Sequence, residues 1–309
     1  MIPFSHYKRK KLLYSFKVSA LHHTPNLIYI ILATKKVSMR VYFTFMIMFL
    51  TGTLLAQDFN RLCDEGSAAF ARGEYSKATD LFGKALLKGS NNKEKVFALA
   101  SLAYSQQVEG KLQYALESYD KAIEIAGAAP LLILHRAKLY IKMDSTDKAI
   151  SDFCSVLKVE PNNKDALLGR AHAYTDKEEF PKAMDDYRSL LTIYPKEPAV
   201  RLGMIRLYQA EGRLNEAILL ANLLIEEFPN NAACYIARSD IEQKLGQHEL
   251  ALMDVEEAIR IEPDNASHYT LQSILYRKLG KESAAIKSER TADELSKKHG
   301  EKSKYWRQD

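Results

Sequence analysis

Few side chains in this sequence could do chemistry, and their spacing does not bring them together. Cys63, Cys154 and Cys234 could serve as nucleophiles, metal ligands or disulfide partners. They are far apart, odd in number and form no C-x-x-C pair, so they suggest neither a metal site nor a disulfide framework. They read as small, half-buried hydrophobic residues. Of eight histidines, three fall in the first 56 residues and the others are His135, His172, His248, His268 and His299. None belongs to an H-E-x-x-H, and the sequence contains no glycine-rich phosphate loop and no nucleophile elbow. Asp185–Asp186 and Glu256–Glu257 offer paired carboxylates, but adjacent helical residues point in different directions and cannot clasp one substrate. Both pairs read as solvated face. The expectation is a protein that is not an enzyme, with no cofactor, no metal and no small-molecule substrate.

The chemistry that remains is recognition. Lys138, His172, Arg206 and Asp240 recur at 34-residue intervals, with Tyr104 one interval earlier. They therefore occupy one equivalent position. Lys138, His172 and Arg206 form a candidate basic ladder for an acidic peptide or a chain-terminal carboxylate; the competing reading is ordinary solvated charge.

The elements that position this row are set by the same period. Ala115, Ala149, Ala183, Ala217, Ala251 and Ala285 are each 34 residues apart, and Ala78 begins the series with three extra residues in the following loop. A large ring stands four residues later in the first four copies: Phe82, Tyr119, Phe153 and Tyr187. Gly66, Ala103, Ala137 and Ala171 stand twelve residues earlier, and Pro161, Pro195, Pro229 and Pro263 follow. Apolar residues three and four apart around Ala78 mark an amphipathic helix. Gly73, Gly110, Gly212, Gly246 and Gly280 fall where a preceding helix must end. In the third copy Asp144-Ser-Thr takes that place and is expected to cap the next helix. Pro181 falls in a first turn, where its missing N–H costs little, and the four spaced prolines close the second helix of each copy.

These residues resemble the tetratricopeptide repeat, a helix–turn–helix of about 34 residues, from roughly Asp58 to Leu295. The resemblance implies an all-α, right-handed superhelical solenoid of about seven repeats. The repeat-packing residues are Ala78, Phe82, Ala115, Tyr119, Ala149, Phe153, Ala183, Tyr187, Ala217, Ala251 and Ala285. The last three copies carry Ala221, Val255 and Ser288 in place of the ring, so packing there should be looser or refilled by Leu220 and Met253. In the family, first helices line a concave face where partners bind, which would place Tyr104, Lys138, His172, Arg206 and Asp240 on it. The two-Lys, two-Asn, one-Arg clamp of the chaperone-binding subset is absent: the corresponding places hold Cys63, Ser67, Ser101, Leu131 and His135.

Formal charge is +5, but eight of the 44 basic residues and none of the 39 acidic ones lie in residues 1–56. From Gln57 onward 36 bases face 39 acids, a balance that does not favour nucleic acid. Met39 to Ala56 has a positive start, an apolar run and a small-residue end, the layout of a cleaved signal peptide. The run is shorter than the ~20 residues of a spanning helix; a retained short membrane anchor is the alternative. The organisation expected is an over-extended gene start or long n-region (1–38), the signal peptide or anchor (39–56), the solenoid (57–295) and a capping helix with its tail (296–309), where Trp306 docks or lies exposed. The function expected is a periplasmic or secreted scaffold with a protein or peptide partner, touching membrane only through the N-terminal segment if uncleaved. The alternatives are a self-assembling structural protein and a membrane-anchored adaptor facing the cytosol.

Overall fold

The structure is a computed structural model that describes residues 39–127 and 129–298. The expectations for residues 1–38, His299 and Trp306 lie outside the described residues. Fourteen helices and no strand occur among them. The chain divides into two units, Met1–Asn60 and Arg61–Asp309. Helix α1 (Met39–Ala71) begins in the first, running without a break through Ala56 and Gln57, and its last residues belong to the second.

The second unit pairs helices in sequence order. After the end of α1 come α2 (Tyr75–Lys88), then α3 (Asn92–Glu109) with α4 (Leu112–Ala126), and α5 (Pro130–Lys142) with α6 (Thr146–Val159). There follow α7 (Lys164–Asp176) with α8 (Phe180–Ile193), α9 (Pro198–Ala210) with α10 (Leu214–Glu227), α11 (Ala232–Lys244) with α12 (His248–Ile261), and α13 (Ala266–Lys278) with α14 (Glu282–Lys298). Each first helix packs on its own second helix and on the second helix of the preceding copy. First helices also meet directly, α5 on α7, α7 on α9 and α9 on α11, so one layer of the stack is made of first helices alone. No such pair buries its apolar face without neighbours, which is why the copies stack into a solenoid.

Helix ends follow local chemistry. Pro161, Pro195, Pro229 and Pro263 each stand two residues after a second helix ends. Asn91, Asn163, Asn231 and Asn265 cap first helices by accepting a backbone N–H. Between the helices of a copy the chain takes a left-handed turn, as at Gly110 (φ +87°), a conformation that costs glycine little. The third copy departs from expectation. Ser145 makes no side-chain cap, and Asp144 instead adopts the left-handed conformation itself (φ +53°), as Glu178 does in the next copy (φ +59°).

The core is a set of rings between small residues. Ala78, Ala115, Ala149, Ala183, Ala217, Ala251 and Ala285 are fully buried, as are the rings of Phe82, Tyr119, Phe153 and Tyr187. The rings of Tyr119, Phe153 and Tyr187 reach the first helix of the next copy, whereas Phe82 lies against Gly66 on the first helix of its own. A Cβ added to Gly169 would lie 2.4 Å from Phe153, and one added to Gly203 would lie 2.6 Å from Tyr187. Where the ring is lost, its opposite grows: Ala221 shares a cluster with Ala237, and Val255 with Leu271. Packing is therefore refilled from the facing helix. Leu220 joins that cluster, but Met253 is 63% exposed and fills nothing. In the last copy the residue four after Ala285 is Glu289, which pairs with Arg277 at 2.6 Å. Ser288 beside it is buried and donates to Gln272 Oε1 at 2.7 Å.

Candidate functional site

The position-equivalent row lies on successive first helices: Tyr104 on α3, Lys138 on α5, His172 on α7, Arg206 on α9 and Asp240 on α11. Tyr104 is 44% exposed and stands in an aromatic run, 5.2 Å from the Phe70 ring and 6.2 Å from His135. Phe97, Val108 and Leu131 are exposed near this end of the layer. The charged members are bound to neighbouring helices. Lys138 Nζ donates to Asp165 on α7 at 2.6 Å, and Arg206 pairs with Asp176, also on α7. Asp240 accepts from Gln209 on α9 at 2.8 Å and faces Lys244 at 3.4 Å. Burial and the nearby Arg206 charge lower the His172 pKa below its ordinary value, so it is uncharged at neutral pH. Burial and the Lys138 charge do the same at His135. The row is a string of cross-links with exposed heads, alternating in sign with the carboxylates it holds, rather than an uncompensated basic ladder.

A second periodic constellation was not anticipated. Arg136 on α5 grips Asp152 on α6 through Nε (2.8 Å) and Nη2 (2.9 Å), while its Nη1 donates to Asp120 on α4 at 2.7 Å. Arg170 holds Asp186 in the same fork at 2.9 and 2.7 Å, with Nη1 3.2 Å from Cys154 Sγ on α6. Arg238 holds Asp254 at 2.7 and 2.6 Å and donates to Asn222 on α10 at 2.9 Å. Each guanidinium thus ties its own helix to the second helix of its copy and to that of the copy before. The carboxylates are buried, and their hydrogen bonds hold all three arginines above the ordinary value despite desolvation. Asp186 is therefore no solvated residue, as adjacency to Asp185 had suggested; Asp185 alone is exposed. The available signal was an Arg and an Asp sixteen residues apart in three of four successive copies, with Met204 and Leu220 in the other.

One carboxyl in this layer is poorly served. Glu242 is buried, its Oε2 has no hydrogen-bond partner, and Arg238 Nε is 4.0 Å from its Oε1. The guanidinium is already committed to Asp254. Burial first, and then the Asp254 charge, push the Glu242 carboxyl up to about 7.

A cleft of about 530 Å³ between α6, α7 and α8 has the Arg170–Asp186 pair in its lining. Its strongest polar groups already satisfy each other, which leaves none poised on a reacting atom. Among the described residues no cluster of three His, Cys, Asp or Glu has the placement to hold a metal ion. Cys63 and Cys234 are buried and Cys154 is half-buried. No helix of the described residues is long and apolar enough to cross a membrane.

Three family models described as tetratricopeptide repeat match residues 134–198, 176–241 and 232–265. A tetratricopeptide repeat protein from Parabacteroides merdae ATCC 43184 superposes with a TM-score of 0.65 at 25% identity, over 77% of this chain and 93% of that one. PilW, described as a widely conserved type IV pilus biogenesis factor, matches at TM-score 0.51 and 17% identity over 64% of this chain and 92% of that one. A chain of the APC/C hetero-tetramer Cut9–Hcn1 matches at 0.53 and 16%, over 72% of this chain and 46% of that one. The last two share the fold alone. The 34-residue period, the paired helices stacked on small residues and rings, and these matches agree: residues 134–265 carry tetratricopeptide repeats, and the chain has the fold of proteins built from them.

Proposed function

We propose that this protein is a non-enzymatic interaction scaffold of the cell envelope or exterior that takes a peptide or protein partner on its layer of first helices. The family's fold is that of a protein-interaction scaffold, and members are generally non-catalytic. The observation that carries the site is the exposure of Tyr104, Arg206 and Asp240 on α3, α9 and α11, with the half-buried Lys138 and His172 on the helices between them, beside the exposed apolar Phe97 and Leu131. An apolar end continued by alternating charges suits an extended segment anchored by an aromatic or aliphatic side chain and oriented by polar contacts. Placement in the envelope rests on the signal-like layout of Met39 to Ala56, and a mature N-terminus at Gln57 is the expected result of intact-mass measurement in the native host. A start at Met39 or Met1 would favour the anchored adaptor.

The charged part of the row is tested by reversing it. Lys138→Glu with Arg206→Glu places acids against Asp165 and Asp176, and is expected to weaken capture of envelope proteins by about tenfold or more at low salt. Unchanged capture and unchanged salt dependence in the double variant would remove the row from the binding site.

A further inference from the structure

The first-helix layer changes character along its length. On α3, Phe97, Tyr104 and Val108 are exposed by 41, 44 and 36%, and their spacing puts them on one face of the helix. Leu131 is exposed on α5 at the position that Phe97 holds on α3. Later copies fill that position with Asp165, Ala199 and Ala233, and the position of Val108 with Lys142 and Asp176. Ring contacts join three helices at this end. Tyr104 lies 5.2 Å from Phe70, near the end of α1, and 6.2 Å edge-on from His135 on α5. His135 in turn stacks parallel to the buried Tyr119 at 6.1 Å.

Two polar atoms at this wall are unserved. Gln107 stands about one turn from Tyr104 on α3, and its Oε1 is buried without a hydrogen-bond partner, as is the Tyr119 hydroxyl. A buried acceptor without a donor is costly. The Gln107 side chain is otherwise half-buried, so turning its oxygen outward breaks no hydrogen bond of that atom.

We propose that this end of the layer holds the partner's anchor, an aromatic side chain with a donor of its own, tryptophan or tyrosine, its ring on the Tyr104 wall and its N–H or O–H on Gln107 Oε1. The proposal rests on the reading that a partner occupies the first-helix layer, and names the chemistry of its anchor. Aromatic pairs gain more than the area they bury, and a buried indole N–H or phenol O–H needs an acceptor. A leucine or phenylalanine would cover the same wall and leave Gln107 unpaired. A cationic anchor fits poorly, because the Lys138 charge already acts on His135 and Asp165 is held by Lys138 at 2.6 Å.

The test is fluorescence anisotropy of labelled Gly/Ser peptides added to the full chain. Each peptide carries one central Trp, Leu or Arg, or a Trp methylated on its indole nitrogen, which keeps the ring and removes the N–H. Trp is expected to bind about tenfold tighter than Leu and about fivefold tighter than methylated Trp. Tyr104→Lys, which copies Lys138, should abolish the preference for Trp over Leu. Gln107→Ile, which copies Ile141, should abolish only the preference for Trp over its methylated form. Both replacements occur at the equivalent position of the next copy, so the helical circular dichroism should be kept; the wild-type comparison of Trp with methylated Trp needs neither variant. Equal binding of those two peptides overturns the proposal. So does Leu binding as tightly as Trp, Arg binding tightest, or a Trp preference that survives Tyr104→Lys. If the Trp preference fails while a photoreactive group at Tyr104 still captures a protein, the anchor chemistry is wrong and the scaffold stands; no capture there removes both.

Discussion

Glu242 stands at a position that holds tyrosine in four other copies, Tyr140, Tyr174, Tyr208 and Tyr276. A tyrosine there keeps a polar edge and an apolar body; a carboxyl brings a charge that burial opposes. Because burial pushes its folded pKa up to about 7, above the ordinary carboxyl value of about 4.5, the folded chain binds more protons than the unfolded one between those values. Stability should therefore fall as pH rises from about 4.5 to about 7, and the full penalty persists above that. Glu242→Gln removes the slope. Its melting temperature should match wild type near pH 4 and exceed it at pH 8, by the equivalent of about 3 kcal/mol. Parallel pH–melting curves for the two proteins would contradict the assignment.

At the scale of elements, the arginine clamp and the ring–glycine contact are two ways of fixing one helix against the next. The chain itself contains the apolar alternative to the clamp: where Arg170 and Asp186 pair, the next copy has Met204 and Leu220. Arg170→Met alone leaves a buried carboxylate and should cost about 3 kcal/mol in urea unfolding, as should Asp186→Leu; the double variant should recover most of that loss. Additive losses in the double variant would show that the pair does not act as a unit. The glycine contact gives a sign test. Gly83→Ala in α2 meets nothing within 4 Å and should stabilise by up to about 1 kcal/mol through helix propensity. Gly169→Ala drives a methyl into the buried Phe153 ring and should destabilise by about 1–2 kcal/mol despite the same propensity gain.

The repeats, the prolines after second helices and the left-handed glycines were legible in the sequence, because they are local and recur at a fixed period. The clamp was not, since Arg170 meets Asp186 across a turn and Cys154 across a repeat, and neither contact follows from helical spacing. The row of Lys138, His172 and Arg206 was legible as a row but not in its charge. Asp165 and Asp176 come from different turns of α7, and His172 loses its proton to burial, which the sequence does not show.

For the whole molecule, stability is a sum over copies and their interfaces, and this stacking creates a first-helix layer and an outer second-helix surface. The first-helix layer is mixed apolar and charged, and the second helices expose Tyr114, Leu219, Leu223, Leu250, Met253 and Ile286 among polar residues. The central claim, that a protein partner occupies the first-helix layer, is tested most directly by site-specific photo-crosslinking in the native host. A photoreactive side chain is placed at Tyr104, at Asp240 and, as an outward control, at Ser151 on α6. Discrete protein adducts at Tyr104 and Asp240 but none at Ser151 are the predicted result. No adduct at either first-helix position, or equal adducts at all three, would contradict it.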